Sequence, residues 1–191
     1  MILGSSSQWR RKVFTKVGCR IADAMDPNID EKKIRRPDPE KLVLAISHAK
    51  ADSLMSRVCV ADGGFLICTD QVAVCEGVVR EKPESPEEAR KYIHSYSTEG
   101  KPVETCSGVV VVDITTGKRV EGTYWNSIWF SPIPQTVVDE IVAGSVVYTC
   151  CGGFSVDCPI MGKYVLNIEG TIDGVMGMPL GLLEELFTKI S

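Results

Sequence analysis

The chain has 191 residues, 44% of them hydrophobic, and a formal net charge of −4. This size and composition predict one globular domain, or two small lobes that share a core. The negative charge argues against a general nucleic-acid binder, because such proteins neutralise phosphates with a basic surface. The longest apolar runs are far shorter than the roughly 20 residues that span a bilayer, and no signal peptide is recognisable. We therefore expect a cytoplasmic protein that binds neither membranes nor nucleic-acid polymers.

The first half of the chain shows alternating strand and helix signals, which are hydrophobic spacing, N-cap residues and glycine stops. The first two predicted elements are a strand at residues 1–3 and a helix through Val13, Phe14 and Val17 that ends at Gly18. Asp38 caps the next helix, whose apolar side carries Leu42, Ala45, Ile46, Ala49 and Leu54. A buried strand follows at residues 65–74, and residues 69–71 interrupt it.

The second half adds a hairpin to this alternation. Its predicted elements are, in order, a helix that opens with a capping box of Ser85 and Glu88, two paired strands at residues 103–114 and 120–130, a helix from Pro134 to Gly144, a strand at residues 146–150 and a helix at residues 182–190. Alternating helices and strands followed by a hairpin predict an α/β domain with a mixed sheet.

The eight cysteines show no spacing typical of a metal site. No C-x-x-C pair occurs, and neither histidine stands at ligand spacing from a cysteine. We expect reduced, mostly buried thiols that pack as small hydrophobic residues. A thiol enzyme built on Cys150 and Cys151 is the alternative, although the sequence offers no evident histidine to activate it.

The segment SSSQWRR at residues 5–11 places two arginines in the first turn of a helix. The partial positive charge of a helix N-terminus disfavours each of them by about 0.3 to 1 kcal/mol. A bound phosphate would reverse this, because the free N–H groups, the serine hydroxyls and a guanidinium all donate to one anion. Alternatively, both arginines extend into water and the serines only cap the helix. The segment is not a P-loop, whose G-x-x-x-x-G-K-[ST] pattern is absent.

Three further charged residues stand in unusual surroundings. Asp70 lies inside an apolar strand, where a carboxylate is costly unless it is paired, binds a metal or faces a cleft. Lys50 lies beside the apolar side of its helix, and Lys82 precedes Pro83 near the turn after the Asp70 strand. Each has an ordinary alternative, since Asp70 can cap a loop and single lysines usually lie on the surface.

Taken in their order along the chain, six segments resemble the Maf-like proteins, which are nucleoside triphosphate pyrophosphatases of the inosine-triphosphatase-like fold. The segments are LGSSSQWRR at 3–11, IDE at 29–31, AKA at 49–51, TDQV at 69–72, KP at 82–83 and GVMGMPL at 174–180. The resemblance spans almost the whole chain. It implies a single α/β domain over residues 1–191, with a mixed twisted sheet, flanking helices and two lobes that form an elongated molecule with a central cleft.

The resemblance also implies roles for single residues. Glu31 and Asp70 would hold a divalent cation, Mg²⁺ or Mn²⁺, and Asp70 would act as general base. Lys50 and Lys82 would complete the catalytic set as phosphate ligands. The residues of the first turn that would bind the triphosphate are Ser5, Ser7, Arg10 and Arg11.

Two features bear on the base of the nucleotide. Trp9 and Gln71 resemble the family branch that acts on 7-methyl-GTP, whereas the branch that acts on dTTP and UTP usually has Thr at the second of these positions. A methylated guanine is cationic and can stack on Trp9, but the same ring can serve in the core or between lobes. Residues 151–157 lack a glutamine that family members commonly carry, and residues 157–169 are closer to eukaryotic, plant-type members. The base preference therefore stays open.

The main hypothesis is a metal-dependent enzyme that converts a nucleoside triphosphate to its monophosphate and pyrophosphate, and so removes modified or surplus nucleotides. The alternative is a non-catalytic, nucleotide-binding regulator of cell division. Such a regulator would have little need of a general base, so the presence of Asp70 favours the enzyme. A homodimer is possible, although no pattern in the sequence indicates one.

Overall fold

In the computed structural model the chain is described at residues 1–16, 21–59, 63–97 and 101–191. Within these ranges it forms the strands β1 (Ile2–Gly4), β2 (Asp23–Ala24), β3 (Phe65–Cys75), β4 (Val78–Arg80), β5 (Val103–Asp113), β6 (Arg119–Phe130) and β7 (Val165–Glu169). The α-helices there are α1 (Gln8–Lys16), α2 (Pro39–Met55), α3 (Pro86–Ser97), α4 (Gln135–Ala143), α5 (Ile172–Val175) and α6 (Leu180–Ile190). No helix in the described ranges has the length and apolar character needed to cross a bilayer. The predicted helix stop at Gly18, together with Val17 and Cys19, lies outside the described residues.

The strands form one mixed sheet in the order β2-β1-β3-β5-β6-β7, with β4 paired to β3. Strand β1 runs parallel to both β2 and β3, whereas the pairs β3–β4 and β6–β7 are antiparallel. Helices pack against the sheet through three apolar clusters. The predicted α/β class with a mixed sheet and flanking helices is therefore confirmed.

The chain divides into two compact units, each built from separated stretches. Unit 1 comprises Met1–Gln71, Ser107–Tyr124 and Met176–Ser191, and unit 2 comprises Val72–Cys106 and Trp125–Val175. Strands β3, β5 and β6 therefore contribute one part to each unit.

Unit 1 has two apolar cores, and the alternation of side chains along its strands explains why. Successive strand residues point to opposite faces, so Ile67 belongs to one core while Leu66 and Cys68 belong to the other. The four valines at 109–112 of β5 alternate in the same way. Helices α1 and α6 cover the first core, and α2 covers the second. Unit 1 is thus a sandwich of helix, sheet and helix.

Unit 2 has an apolar core to which α3 and α4 contribute. The rings of Tyr96, Phe130 and Phe154 meet there, with centroids 5.8 to 6.0 Å apart. Aromatic rings at such separations attract each other beyond the effect of their buried area. These contacts join α3 to β6 within the unit.

Both N-caps inferred from the sequence are confirmed. The Asp38 carboxylate accepts a hydrogen bond from Lys41 N at 3.0 Å, and Ser85 Oγ accepts one from Glu88 N at 3.1 Å. The Glu88 carboxylate in turn accepts from Glu84 N at 2.7 Å. Each cap satisfies a backbone N–H that has no partner within its helix.

Two predictions about strands are wrong. Residues 146–150 were expected to form a strand, but Val146–Thr149 is a 3₁₀ helix of which Val147 alone is buried. A short apolar run does not distinguish the two structures, and one buried side chain suits a single helical turn. Strand β3, in contrast, continues without a break through residues 69–71, because their polar side chains find partners inside unit 1.

The buried face of α2 also differs from the prediction. Ala45 and Ala49 are only half-buried, whereas Ser47 and Lys50 are buried. Ser47 Oγ donates to Gly108 O at 3.0 Å, so a polar side chain on this face is satisfied. Hydrophobicity alone misplaces the face, because buried polar residues with partners look like surface residues in the sequence.

The cysteines of the described ranges are free thiols, but fewer of them are buried than predicted. Those in β3 and β5 are buried, three others are half-buried and one is exposed. In that order they are Cys68, Cys75 and Cys106, then Cys150, Cys151 and Cys158, then Cys59.

Candidate active site

The turn between β1 and α1 is organised around the hydroxyl of Ser5. Ser5 Oγ accepts hydrogen bonds from Ser7 N at 3.1 Å and from Arg10 Nη1 at 3.0 Å, and the residue is only 4% exposed. With both lone pairs engaged, the hydroxyl proton is left to donate. No acceptor for that proton occurs in the described part of the chain. The turn therefore offers a buried donor to an anion.

Arg10 is held on two sides and keeps donors to spare. Its Nε donates to Gly177 O at 3.1 Å, and its Nη1 donates to Ser5 Oγ. A guanidinium carries five N–H groups, so three remain, and none of these has an acceptor among the described residues. They lie at the start of α1, whose first amides also lack partners within the helix. Such a set of donors is what binds a phosphate group.

The other predicted ligands of this turn differ in exposure. Ser7 is half-buried and Arg11 is exposed. Trp9 packs against the core that α1 covers, with the Lys12 ammonium 4.4 Å from the centroid of its ring. The indole Nε1 is buried, and no described residue accepts its hydrogen bond. The structure gives Trp9 a packing contact, and its contact with a base stays a prediction.

A single ammonium group joins the two predicted metal-binding carboxylates. Lys50 Nζ lies 2.8 Å from Asp70 Oδ1 and 2.8 Å from Glu31 Oε1, and it also donates to Thr69 O at 3.3 Å. Lys50 and Asp70 are buried, whereas the Glu31 side chain is 47% exposed. This pairing offsets the cost of placing a carboxylate inside β3. The structure thus brings Glu31, Lys50 and Asp70 together.

The same two carboxylates suit a divalent cation. They converge on one position of positive charge, and carboxylate oxygens are the donors that Mg²⁺ and Mn²⁺ prefer. Across the described ranges, no group of three or more His, Cys, Asp or Glu is arranged to hold a metal. A cation bound here would complete its coordination with water and phosphate oxygens, as Mg²⁺ commonly does.

Gly177 connects the β1–α1 turn to β3. Its carbonyl oxygen accepts from Arg10 Nε at 3.1 Å and from Thr69 Oγ1 at 3.2 Å. Arg10 and the residue next to Asp70 therefore share one acceptor. The donor-rich turn and the buried ion pair both belong to unit 1, on the two opposite faces of β3 to which the side chains of Thr69 and Asp70 point.

The Cys68 thiol reports the electrostatics of this part of β3. Burial raises the pKa of this thiol to about 12, and the positive charges of Lys50, Arg119 and Arg10 only partly oppose the increase. The positive charges of Arg10 on α1 and Lys50 on α2 thus both act on this thiol of β3. Because a nucleophilic cysteine needs its thiolate form, Cys68 is excluded as a nucleophile at neutral pH.

Gln71 is oriented by a serine that sequence reasoning missed. Its Nε2 donates to Ser107 Oγ at 3.0 Å, and Ser107 is fully buried in β5. Nothing in the sequence around Ser107 signals this contact, since the residue lies inside a β-rich run. Gly177 was detectable, because it lies in one of the six segments that carry the family resemblance.

Lys82 belongs to unit 2, where it is exposed in the connection between β4 and α3. Two glycines support this connection. Gly152 N donates to Glu81 O at 2.9 Å, and Gly153 lies against the buried ring of Pro83. They belong to the stretch that lacks the glutamine common in the family. The role of Lys82 as a phosphate ligand stays a prediction.

Unit 1 is an α/β sandwich. Its first helix starts at a cluster of unused donors, and its second helix carries a buried ammonium that contacts two carboxylates. Fold and site together define an α/β protein with a donor-rich turn of the kind that suits an anion. The family model of the Maf-like proteins matches residues 1–190, so the chain belongs to the Maf-like family. The resemblance carried by the six segments is confirmed.

Curated relatives match over most of their length. The chain is 41% identical to a 7-methyl-GTP pyrophosphatase of Dictyostelium discoideum, over 100% of this chain and 97% of the relative. It is 30% identical to a 7-methyl-GTP pyrophosphatase of Idiomarina loihiensis, over 81% of this chain and 76% of the relative. It is 25% identical to a dTTP/UTP pyrophosphatase of Vibrio vulnificus, over 97% of this chain and 96% of the relative.

Proposed function

We propose that this chain hydrolyses a nucleoside triphosphate to its monophosphate and pyrophosphate, with the β1–α1 turn as the triphosphate site and Asp70 as general base. Family membership and relatives named as pyrophosphatases support the reaction class, nucleoside triphosphate pyrophosphatase. Two observations support the roles of single residues: the Lys50 ammonium lies 2.8 Å from two carboxylates, and the β1–α1 turn of the same unit presents unused donors.

Binding of the triphosphate rests on Ser5, Ser7, Arg10 and Arg11. Ser5 and Arg10 keep N–H and O–H donors that no described residue accepts, and a phosphate oxygen would accept them. Arg11 is exposed and would add charge rather than a fixed contact. We also propose Lys82 as a phosphate ligand, since a lysine on an exposed connection can act as a point charge.

Asp70 has the charge and surroundings that a general base needs. Its Oδ1 is 2.8 Å from the Lys50 ammonium, which leaves the lone pairs of its other oxygen to accept a proton. Attack of water on the α-phosphorus forms the new P–O bond, and the bond to the pyrophosphate oxygen breaks. The proton lost by the water passes to Asp70. Pyrophosphate leaves with the electron pair of the broken bond.

Glu31 and Asp70 would hold Mg²⁺ or Mn²⁺. When bound, such an ion would neutralise part of the negative charge on the phosphates. Lys50, like the metal ion, is positively charged, and it contacts both carboxylates. It therefore holds the two carboxylates together when no metal ion is bound. The positive charge of Lys50 thereby offsets the repulsion between the two carboxylates.

For the base we propose 7-methylguanine, with dTTP and UTP as the alternative substrates. Higher identity to relatives named for 7-methyl-GTP supports this choice, as do Trp9 and Gln71. The hydrogen bond from Gln71 Nε2 to Ser107 Oγ helps to orient this side chain toward a base. We also propose a cytoplasmic homodimer, to be checked by sedimentation of the pure protein and by localisation of a tagged chain.

The test is a panel of triphosphates that contains 7-methyl-GTP, GTP, dTTP and UTP, each with Mg²⁺ or Mn²⁺. We expect pyrophosphate and the monophosphate as products, and release of orthophosphate would contradict the reaction. In Asp70→Asn, turnover should fall by at least about 100-fold, as expected when a general base is removed, while nucleotide binding persists. Binding without turnover in the wild-type protein would instead support a non-catalytic regulator. Equal turnover of the variant would remove Asp70 from the mechanism.

A further inference from the structure

The carbonyl oxygen of Gly177 accepts hydrogen bonds from α1 and from β3. It accepts from Arg10 Nε at 3.1 Å and from Thr69 Oγ1 at 3.2 Å. Gly177 lies 167 residues after Arg10, so this contact exists only in the folded chain. The peptide group between Gly177 and Met178 therefore links α1 to β3 through two hydrogen bonds.

This contact sets the direction of the Arg10 guanidinium. A guanidinium is planar, so two anchored nitrogens define its plane and its rotation. Nε is anchored on Gly177 O and Nη1 on Ser5 Oγ. The Nη2 edge is then the part left to meet a phosphate. An arginine held in this way loses little side-chain freedom when the ligand binds, which favours affinity.

Position 177 favours glycine for two reasons. Its φ is +82°, a region that residues with a Cβ rarely adopt. A Cβ built there would lie 3.2 Å from Arg10 Nε and 3.2 Å from Gln71 Oε1. A Cβ at this position would therefore displace the ends of the Arg10 and Gln71 side chains by a few tenths of an ångström, in addition to the backbone strain.

We infer that Gly177 is a positioning residue for the triphosphate: its carbonyl aligns Arg10, and its missing side chain leaves room for that alignment. This inference rests on the proposed function, because it assumes that Arg10 binds phosphate. Gly177 itself contacts no reacting atom. Misalignment of Arg10 weakens binding of the substrate and of the transition state alike, so KM rises while kcat stays nearly constant.

The experiment compares Gly177→Ala with a matched control, Gly117→Ala. Gly117 lies in the turn between β5 and β6, also has a positive φ of +72°, and has nothing within 4 Å of a Cβ built on it. Both variants carry the same kind of backbone strain, and only one crowds the site. Inorganic tripolyphosphate serves as the probe, because it tests the phosphate site without a base.

We expect Gly177→Ala to raise KM, and the inhibition constant of tripolyphosphate, about tenfold, as for the loss of one well-aligned hydrogen bond to a charged group. Gly117→Ala should leave both constants unchanged. In an Arg10→Ala background, Gly177→Ala should add no further loss, because its effect acts through that arginine. Equal constants for the two glycine variants, or additive losses in the double variant, would overturn the inference.

A second pair of variants decides the matter if Gly177→Ala does not fold. Thr69→Val removes the other donor to the Gly177 carbonyl at constant shape, and Thr69→Ser keeps it. We expect an inhibition constant raised about threefold in the valine variant and close to wild type in the serine variant. Equal values would contradict the role of the carbonyl. A wild-type protein that binds tripolyphosphate but cleaves no triphosphate would refute the proposed function alone and leave the positioning of Arg10 standing.

Discussion

Replacing Lys50 with methionine removes the ammonium that joins Asp70 and Glu31 and leaves the shape of the side chain nearly unchanged. Lys50 is 4% exposed, and the Asp70 side chain is 9% exposed. The substitution therefore leaves a buried carboxylate without its cation. The Glu31 side chain, 47% exposed, can return to water and adds little to the cost.

Removing one partner of a buried ion pair costs about 3 to 5 kcal/mol. For a chain of this size each kcal/mol lowers Tm by roughly 2 to 4 °C, so the expected decrease is roughly 6 to 20 °C. Lys50→Met/Asp70→Asn should regain most of this loss, because it removes the uncompensated charge. The control is Lys101→Met, which breaks the exposed ion pair with Glu76 and should leave the free energy of unfolding nearly unchanged.

Urea unfolding at pH 7 gives the free energies, and thermal unfolding with increasing Mn²⁺ tests the metal site. Without the ammonium, the two carboxylates repel each other unless a cation binds. We therefore expect Mn²⁺ to raise the Tm of Lys50→Met more than that of the wild type, and Glu31→Gln in the same background to abolish the difference. A Lys50→Met protein as stable as Lys101→Met would refute the account of the buried pair. An equal response of wild type and variant to Mn²⁺ would refute the metal site.

Three further predictions concern single positions. Ser107→Ala removes the acceptor that orients Gln71, so the ratio of kcat/KM for 7-methyl-GTP to that for dTTP should fall by roughly five- to tenfold; an unchanged ratio contradicts a role in base recognition. Because burial raises the pKa of Cys68 to about 12, its thiol stays protonated at pH 8, and mass spectrometry should find it alkylated by iodoacetamide only after unfolding. Ionisation of this thiol in the unfolded chain above about pH 9 should also lower stability as the pH rises further. Gly108→Ala places a Cβ 2.8 Å from the backbone of α2 and should cost about 2 to 3 kcal/mol in urea unfolding, whereas Gly181→Ala, in open space in α6, should cost nothing.

Local signals in the sequence were sufficient for most elements and for the family. Asp38 and Ser85 cap the predicted helices, because an N-cap acts within three residues of itself and needs no distant partner. Runs of apolar and β-branched residues likewise predicted the long strands β3 and β5. Short elements such as β2 and β4 were missed, since two or three residues carry no periodic signal.

The sequence by itself determined the candidate site residues and their order along the chain: the serine–arginine turn, the lysine of α2 and the aspartate of β3. Only the tertiary structure decided that Lys50 faces inward. Its buried charge is stabilised there by the carboxylates of Glu31, 19 residues before it, and Asp70, 20 residues after it. The position of Gly177 against Arg10 was decided in the same way, across 167 residues. Burial of a charge or a polar group depends on partners, and partners from distant segments meet only when the chain has folded.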